Sequence, residues 1–231
     1  MLNIKTLSTG SSGNCYLLST EDETLILDCG LPIKEIKKGL NFDISKVAGV
    51  LCTHEHADHN KALEDLRNMG MRIHAPFCVG NVKSSRIRMG SFNVTSFDLP
   101  HNGTWNSGFL IKVNGQKILY MTDFEYCQYN FRKLKVNHIL IECNYQKELV
   151  SKDLPNYEHK IRGHASLDTC KGFIEANATD DLRTVLLLHM GSDTCNPEEC
   201  VSEIQKVAGN AIVDYARKGL EIELRESWCP F

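Results

Sequence analysis

The chain predicts a layered α/β protein with its sheets packed inside helices. Short apolar runs of strand length come in clusters, helical patterns are inserted between only some of them, and no segment separates two halves. With 231 residues, 42% of them hydrophobic, the chain can build one large core, and residues 1–231 read as one domain. The N-terminal MLNIKTL reads as a short strand running into a Gly/Ser loop. Further strand-like runs fall at 14–19, 23–28, 47–53, 106–113, 116–122, 137–142 and 184–189, most of them bounded by turn residues. Helical patterns cover 57–69, where Ala62, Leu63, Leu66 and Met69 share a face, then 166–176, and 197–208, which opens with Pro197 and two glutamates.

Composition narrows the function classes. Lysines and arginines number 26 against 29 acidic residues, a net charge of −3 that advertises no polyanion-binding surface. The longest apolar stretches, such as 139–141 and 185–188, are far shorter than the roughly 20 residues of a membrane-spanning helix. The N-terminus lacks the apolar core and small-residue cleavage site of a secretory signal, so the expected location is the cytoplasm, with no membrane partner. Ten cysteines are scattered along the chain, several in apolar runs, and read mostly as buried thiols. The spacing of Cys195 and Cys200 matches no common zinc hairpin. Lys83, Arg86 and Arg88 form a local basic run, a solvated face on the plainest reading.

Chemistry concentrates where the run 47–51 ends. Cys52-Thr53-His54-Glu55-His56-Ala57-Asp58-His59 puts three imidazoles and two carboxylates within six positions. Imidazole with carboxylate suits zinc, manganese or iron, and a strand-to-helix loop can aim several side chains into one small volume. Asp58 and His59 are expected at the start of the following helix, whose positive end favours anionic ligands.

His-x-His-x-Asp-His after a strand resembles the signature of the metallo-β-lactamase superfamily. The segments GSSGNCYLL (10–18), LILDCGL (25–31) and THEHADHNKALED (53–65) resemble its WalJ/YycJ-like branch. The resemblance implies a four-layer αββα sandwich with two divalent metal ions, zinc or manganese with iron also compatible, at one edge. It implies His54, His56 and His101 as one ligand set, and Asp58, His59 and His189 as the other. Asp123 is implied as the shared ligand. His101 follows the run 91–99, Asp123 ends Ile118-Leu119-Tyr120-Met121-Thr122-Asp123, and His189 ends a late strand. Phe124 stands where family members often carry a small residue. Asp28 also ends a strand, and the expectation for it is to hold a turn near the metal loop rather than to bind metal.

Glu142, ending the run 137–142, and His164, just before a helical pattern, resemble the glutamate and histidine of phosphodiesterase-type members, where the histidine serves the leaving oxygen. The resemblance therefore implies a dinuclear hydrolase acting on phosphodiesters, a DNA exonuclease-like nuclease first. Asp58 would orient the activated water. Nucleic acid, DNA first, is the expected partner, with Lys83, Arg86 and Arg88 as candidate backbone contacts. The alternatives at this stage are hydrolysis of a small ester, thioester, lactone or cyclic phosphodiester in the same site, or a metal-binding module without activity. Oligomeric state is not legible in the sequence.

Overall fold

Alternation of apolar side chains along the strands decides the architecture. In β2 (Cys15–Ser19) and β3 (Thr24–Leu27), Tyr16, Leu18, Leu25 and Leu27 enter one core while Cys15, Leu17 and Ile26 enter another. In β9 (Gln116–Met121), β10 (His138–Glu142) and β11 (Thr184–Leu188), Ile118, Tyr120, Leu140, Leu186 and Leu188 join the first set, and Leu119, Ile139, Ile141, Val185 and Leu187 face the opposite way. Strands that are apolar on both faces need cover on both sides.

The computed structural model describes residues 1–80, 84–153 and 157–226 and supplies that cover as four layers. One sheet runs in the order β13 (Glu221–Glu223), β1 (Asn3–Ser8), β2, β3, β4 (Val47–Leu51), β5 (Ile73–His74). The other runs β12 (Ile212–Tyr215), β11, β10, β9, β8 (Thr104–Val113), β7 (Phe92–His101), β6 (Ser84–Met89). The two sheets bury a common core against each other. Ile36 of α1 (Ile33–Gly39) and Leu63 and Leu66 of α3 (Leu63–Asn68) cover the outer face of the first sheet. Phe173 and Ile174 of α5 (Leu167–Asn177) and Ile204 of α6 (Pro197–Gln205) cover that of the second. The αββα sandwich expected from the sequence is the fold observed.

The helix expected over 57–69 is broken into α2 (Ala57–Asn60) and α3. The Asp58 carbonyl, which a continuous helix would pair with Ala62, instead accepts the Asn14 N–H at 2.7 Å, and the Ala62 N–H goes to Cys29 at 2.9 Å. The N–H of Cys29 in turn donates to the carbonyl of His59. Such close approach is open only to glycine at position 30, since a Cβ there would stand 1.7 Å from the Asp58 oxygen. Tertiary bonds have thus overridden helical continuity and clamp the backbone of Asp58 and His59.

β7 and β8 are joined by Asn102-Gly103 and β8 and β9 by Asn114-Gly115, all four with positive φ, the backbone of a tight hairpin. The first of these turns brings His101 to the sheet edge where β9, β10 and β11 also end. None of the described helices is long and apolar enough to cross a membrane.

Candidate metal centre

Three of the strand ends at this edge carry a side chain on a left-handed backbone. Asp28, after β3, has φ 56°, Asp123, after β9, has φ 52°, and His189, after β11, has φ 47°. Non-glycine residues in this region cost on the order of 1 kcal/mol each, so the fold holds them there against local preference.

The expected side chains fall into adjoining groups. Ligand-type atoms of His54, His56 and His101 lie within 4.8 Å of one another, as do those of Asp58, His59, Asp123 and His189. Asp123 Oδ2 lies 3.3 Å from His59 Nε2 and 3.9 Å from His54 Nε2, so its carboxylate stands between the two groups. Its other oxygen is 2.8 Å from His189 Nδ1. A third group joins Glu142 and His164 to Asp123 and His189.

The donor chemistry fits divalent cations. His101 Nδ1 lies 2.6 Å from the Gly163 carbonyl, which can only accept, so this nitrogen carries the proton and a neutral ring turns the lone pair of Nε2 inward. That Nε2 is 3.2 Å from His56 Nδ1, which is itself 3.0 Å from His54 Nε2. Three ring nitrogens thus converge where protons on the rings cannot satisfy them all. His189 Nε2 is buried without a hydrogen-bond partner. The seven side chains together offer the imidazole and carboxylate donors that zinc, manganese and iron accept.

Buried neighbours fix the inner ends of these rings. The carboxylate of Asp28 accepts the Thr53 N–H at 2.8 Å and the Tyr120 hydroxyl at 2.5 Å, and lies 2.9 Å from His59 Nδ1. It is fully buried and holds the loop, as the sequence suggested. Glu142, also fully buried, has one oxygen 2.7 Å from His164 Nδ1 and 2.8 Å from His189 Nδ1. Its other oxygen accepts the N–H groups of Phe124 and Ala165. Phe124 itself packs into the outer core and does not line the cleft.

Titration divides the site. Burial pushes His54 well down and His101 down. Burial would also lower His59, but the charges of Asp123 and Asp28 hold it well above its ordinary value. His189, likewise buried, is raised to about 10 by Asp123 and Glu142. Burial works to raise Asp123, yet His189 and His59 keep it well below the usual carboxylate range.

The groups open into a cavity of about 680 Å³ lined by His56, Asp58, Asp123, His164 and His189. Sequence reasoning missed several of its other walls. Ser11 and Ser12 come from the first loop, Asn144 follows β10, and His159 and Lys160 lie on α4 (Tyr157–Gly163). Lys160 is the one lysine or arginine in the lining among the described residues, its Nζ bonded to Asn144 Oδ1 at 2.9 Å and Thr194 Oγ1 at 3.0 Å. Gly191 permits this packing, because a Cβ there would meet the Thr194 hydroxyl and the Asn144 carbonyl. Burial lowers the ammonium's pKa.

The basic run belongs elsewhere. Lys83 lies outside the described residues. Arg86 and Arg88 sit on β6 opposite Thr95 and Asn93 of β7. At about 3.4 Å per residue this puts them roughly 20 Å or more along the strand from His101. They line a separate surface hollow with Lys112 and Lys133 and do not face the metal-type cluster.

Comparison with known proteins follows the same lines. The family model described as the metallo-beta-lactamase superfamily matches residues 8–69. The chain is similar to the exodeoxyribonuclease YycJ of Bacillus anthracis, 25% identical with 83% of each chain covered. It is also similar to the exodeoxyribonuclease WalJ of Streptococcus pneumoniae, 27% identical over 62% of this chain and 63% of that one. Among solved structures, the metallo-beta-lactamase fold protein YhfI from Bacillus subtilis superposes with a TM-score of 0.73 at 17% identity, covering 96% of this chain and 98% of that one. The short form of human tRNase Z superposes with a TM-score of 0.64 at 15% identity, covering 96% and 99%. The chain is thus similar to the metallo-beta-lactamase superfamily over residues 8–69 and to the YycJ and WalJ proteins over more of its length, and it shares the metallo-beta-lactamase fold.

Proposed function

We propose that this metallo-β-lactamase-fold chain, read as one domain over 1–231, is a dinuclear metal-dependent phosphodiesterase acting on nucleic acid, DNA first. The observation that carries the reading is the pairing of Glu142 with His164 beside the double ligand cluster. Ester or thioester hydrolysis has less need of such a group, whereas a departing ribose or deoxyribose oxygen needs a proton. The nuclease names of YycJ and WalJ support the same reading.

In this reading His54, His56 and His101 hold one divalent ion and Asp58, His59 and His189 the other, with Asp123 between them. When bound, the pair supplies an activated water and neutralises charge building on the phosphoryl oxygens. Asp58, a quarter exposed at the cavity wall, would accept a hydrogen bond from that water and so orient it. Glu142 is a positioning residue. It receives His164 Nδ1–H, which leaves Nε2 to carry the proton that the leaving oxygen takes, and it steadies His189 with the same oxygen. Lys160, with two N–H groups committed to Asn144 and Thr194, has a third for a phosphate oxygen, and Ser11 and Ser12 offer hydroxyls across the cavity.

The test is release of labelled nucleotides from linear single- and double-stranded DNA by chelator-stripped protein reloaded with manganese or zinc. Metal-dependent release that is absent in Asp58→Ala is the expected result. Protein that takes up two ions yet leaves DNA and RNA intact, while cleaving a small ester, would overturn the nuclease reading.

A further inference from the structure

A second cluster of metal-type donors lies behind the cleft. Cys143 follows β10, Cys195 lies in the segment after β11, and Cys200 sits near the start of α6. Their sulfurs all lie within 4.8 Å of one another, and all three side chains are buried. Cys195 Sγ is 3.1 Å from Cys200 Sγ, and the Cys195 thiol reaches the Cys143 carbonyl at 3.5 Å. The thiol of Cys170, fully buried on α5, lies outside this group of three. None of these cysteines lines the catalytic cavity.

Buried thiols commonly serve as small apolar side chains, and a core of this size tolerates several. Apolar packing gives no reason, however, for three sulfurs, from the end of β10, the segment after β11 and α6, to converge on one another. A disulfide between Cys195 and Cys200 would use two of them and leave Cys143 beside it. A metal ion uses all three, and a tetrahedral one has a fourth position for a further donor. Zinc–sulfur bonds of about 2.3 Å put ligand sulfurs about 3.8 Å apart, so ligation would spread the Cys195–Cys200 pair by well under 1 Å. Cys200 is drawn down to about 4 by hydrogen bonds from the Cys143 and Cys195 thiols, while Cys195 is pushed up to about 12 and Cys143 is pushed up as well, so one thiolate is favoured in the empty cluster and the other two thiols would give up their protons only when an ion binds. The Lys160 ammonium lies near enough to Cys195 to offset part of the resulting negative charge.

We propose that Cys143, Cys195 and Cys200 form a thiolate site for one thiophilic divalent ion, zinc foremost, separate from the imidazole–carboxylate cleft. On binding, the thiols release their protons to solvent and no oxidant is required. The ion would tie β10 and α6 to the segment that carries Gly191 and Thr194, and so would pin the wall that holds Lys160. This inference does not depend on the nuclease reading.

Cobalt(II) tests it directly, because thiolate ligands give an intense sulfur-to-cobalt charge-transfer band in the near ultraviolet and imidazole–carboxylate sites do not. The full chain is reduced, stripped with chelator and titrated with cobalt(II) alone, followed by absorbance and native mass spectrometry. Wild type, and a Cys78→Ser control lacking the exposed thiol, are expected to show the band and to take up one ion more than Cys200→Ser, in which the band falls at least several-fold. Absence of the band in reduced wild type or in Cys78→Ser would overturn the proposal, and requires no folded cysteine-cluster variant. So would a freshly purified protein two mass units light with Cys195 and Cys200 linked in one peptide.

Discussion

The two halves of the cleft solve different problems. Around His54, His56 and His101, imidazoles are packed against one another and burial disfavours the charged form of His54 and His101. Around His59 and His189, carboxylates hold protons on the rings, so that without metal this half is a set of buried ion pairs. The first half is poised to take a cation with little rearrangement of charge. The second must lose protons first, and its affinity therefore answers to pH. Asp123, shared by both, is where the comparison is easiest to break.

Asp123→Ala is expected to have the largest effect. It removes the carboxylate common to both groups and leaves His59 facing Asp28 and Asp58 and His189 facing Glu142. Loss of both ions by elemental analysis, turnover reduced at least 10³-fold, and a metal-free fold weakened on the order of 3 kcal/mol in urea are predicted. Asp28→Asn comes next. It preserves volume but removes the charge that orients His59, and should weaken metal binding by about 10- to 100-fold in a chelator competition while sparing the first half more than the second. Gly30→Ala forces the clamp on Asp58 apart and should lower stability by about 1–3 kcal/mol, with some metal loss following.

The smallest and most specific effect is on pH dependence. His189 keeps its proton in the metal-free fold to about pH 10, against an ordinary value of 6.5. Its stabilising contribution is therefore complete below pH 6.5 and lost as pH rises through 10. Because metal displaces the protons of both His59 and His189, affinity in the second half should rise by up to about a hundredfold per pH unit through neutrality, and affinity in the first half more shallowly. Identical slopes in a two-step calorimetric titration would contradict the division.

Much of this was legible in the sequence because its signals are local. The strands that carry Glu142 and His189 are short apolar runs, and His54 to His59 lie together in one loop. What the sequence hid depends on pairings between distant segments. The interruption of the helix at 61–62 follows from bonds to Asn14 and Cys29, which no periodicity records. Lys160 sits on a one-lysine stretch of α4 and becomes part of the cavity only because Asn144 and Thr194 receive it. Arg86 and Arg88 looked suitable by charge, but the antiparallel register of β6 with β7 carries them away from the cleft. The cysteines showed no spacing of their own because Cys143, at the end of β10, meets Cys195 and Cys200 only through the fold.

The central claim, that the cleft holds metal with one set of residues and serves the leaving oxygen with another, is tested most directly in His164→Ala. Metal content and turnover on a labelled oligonucleotide are measured on the same preparation. The account predicts two ions retained and turnover reduced by about 10²- to 10⁴-fold, the range of a lost general acid. Metal lost in step with activity, or activity unchanged with both ions in place, would contradict it.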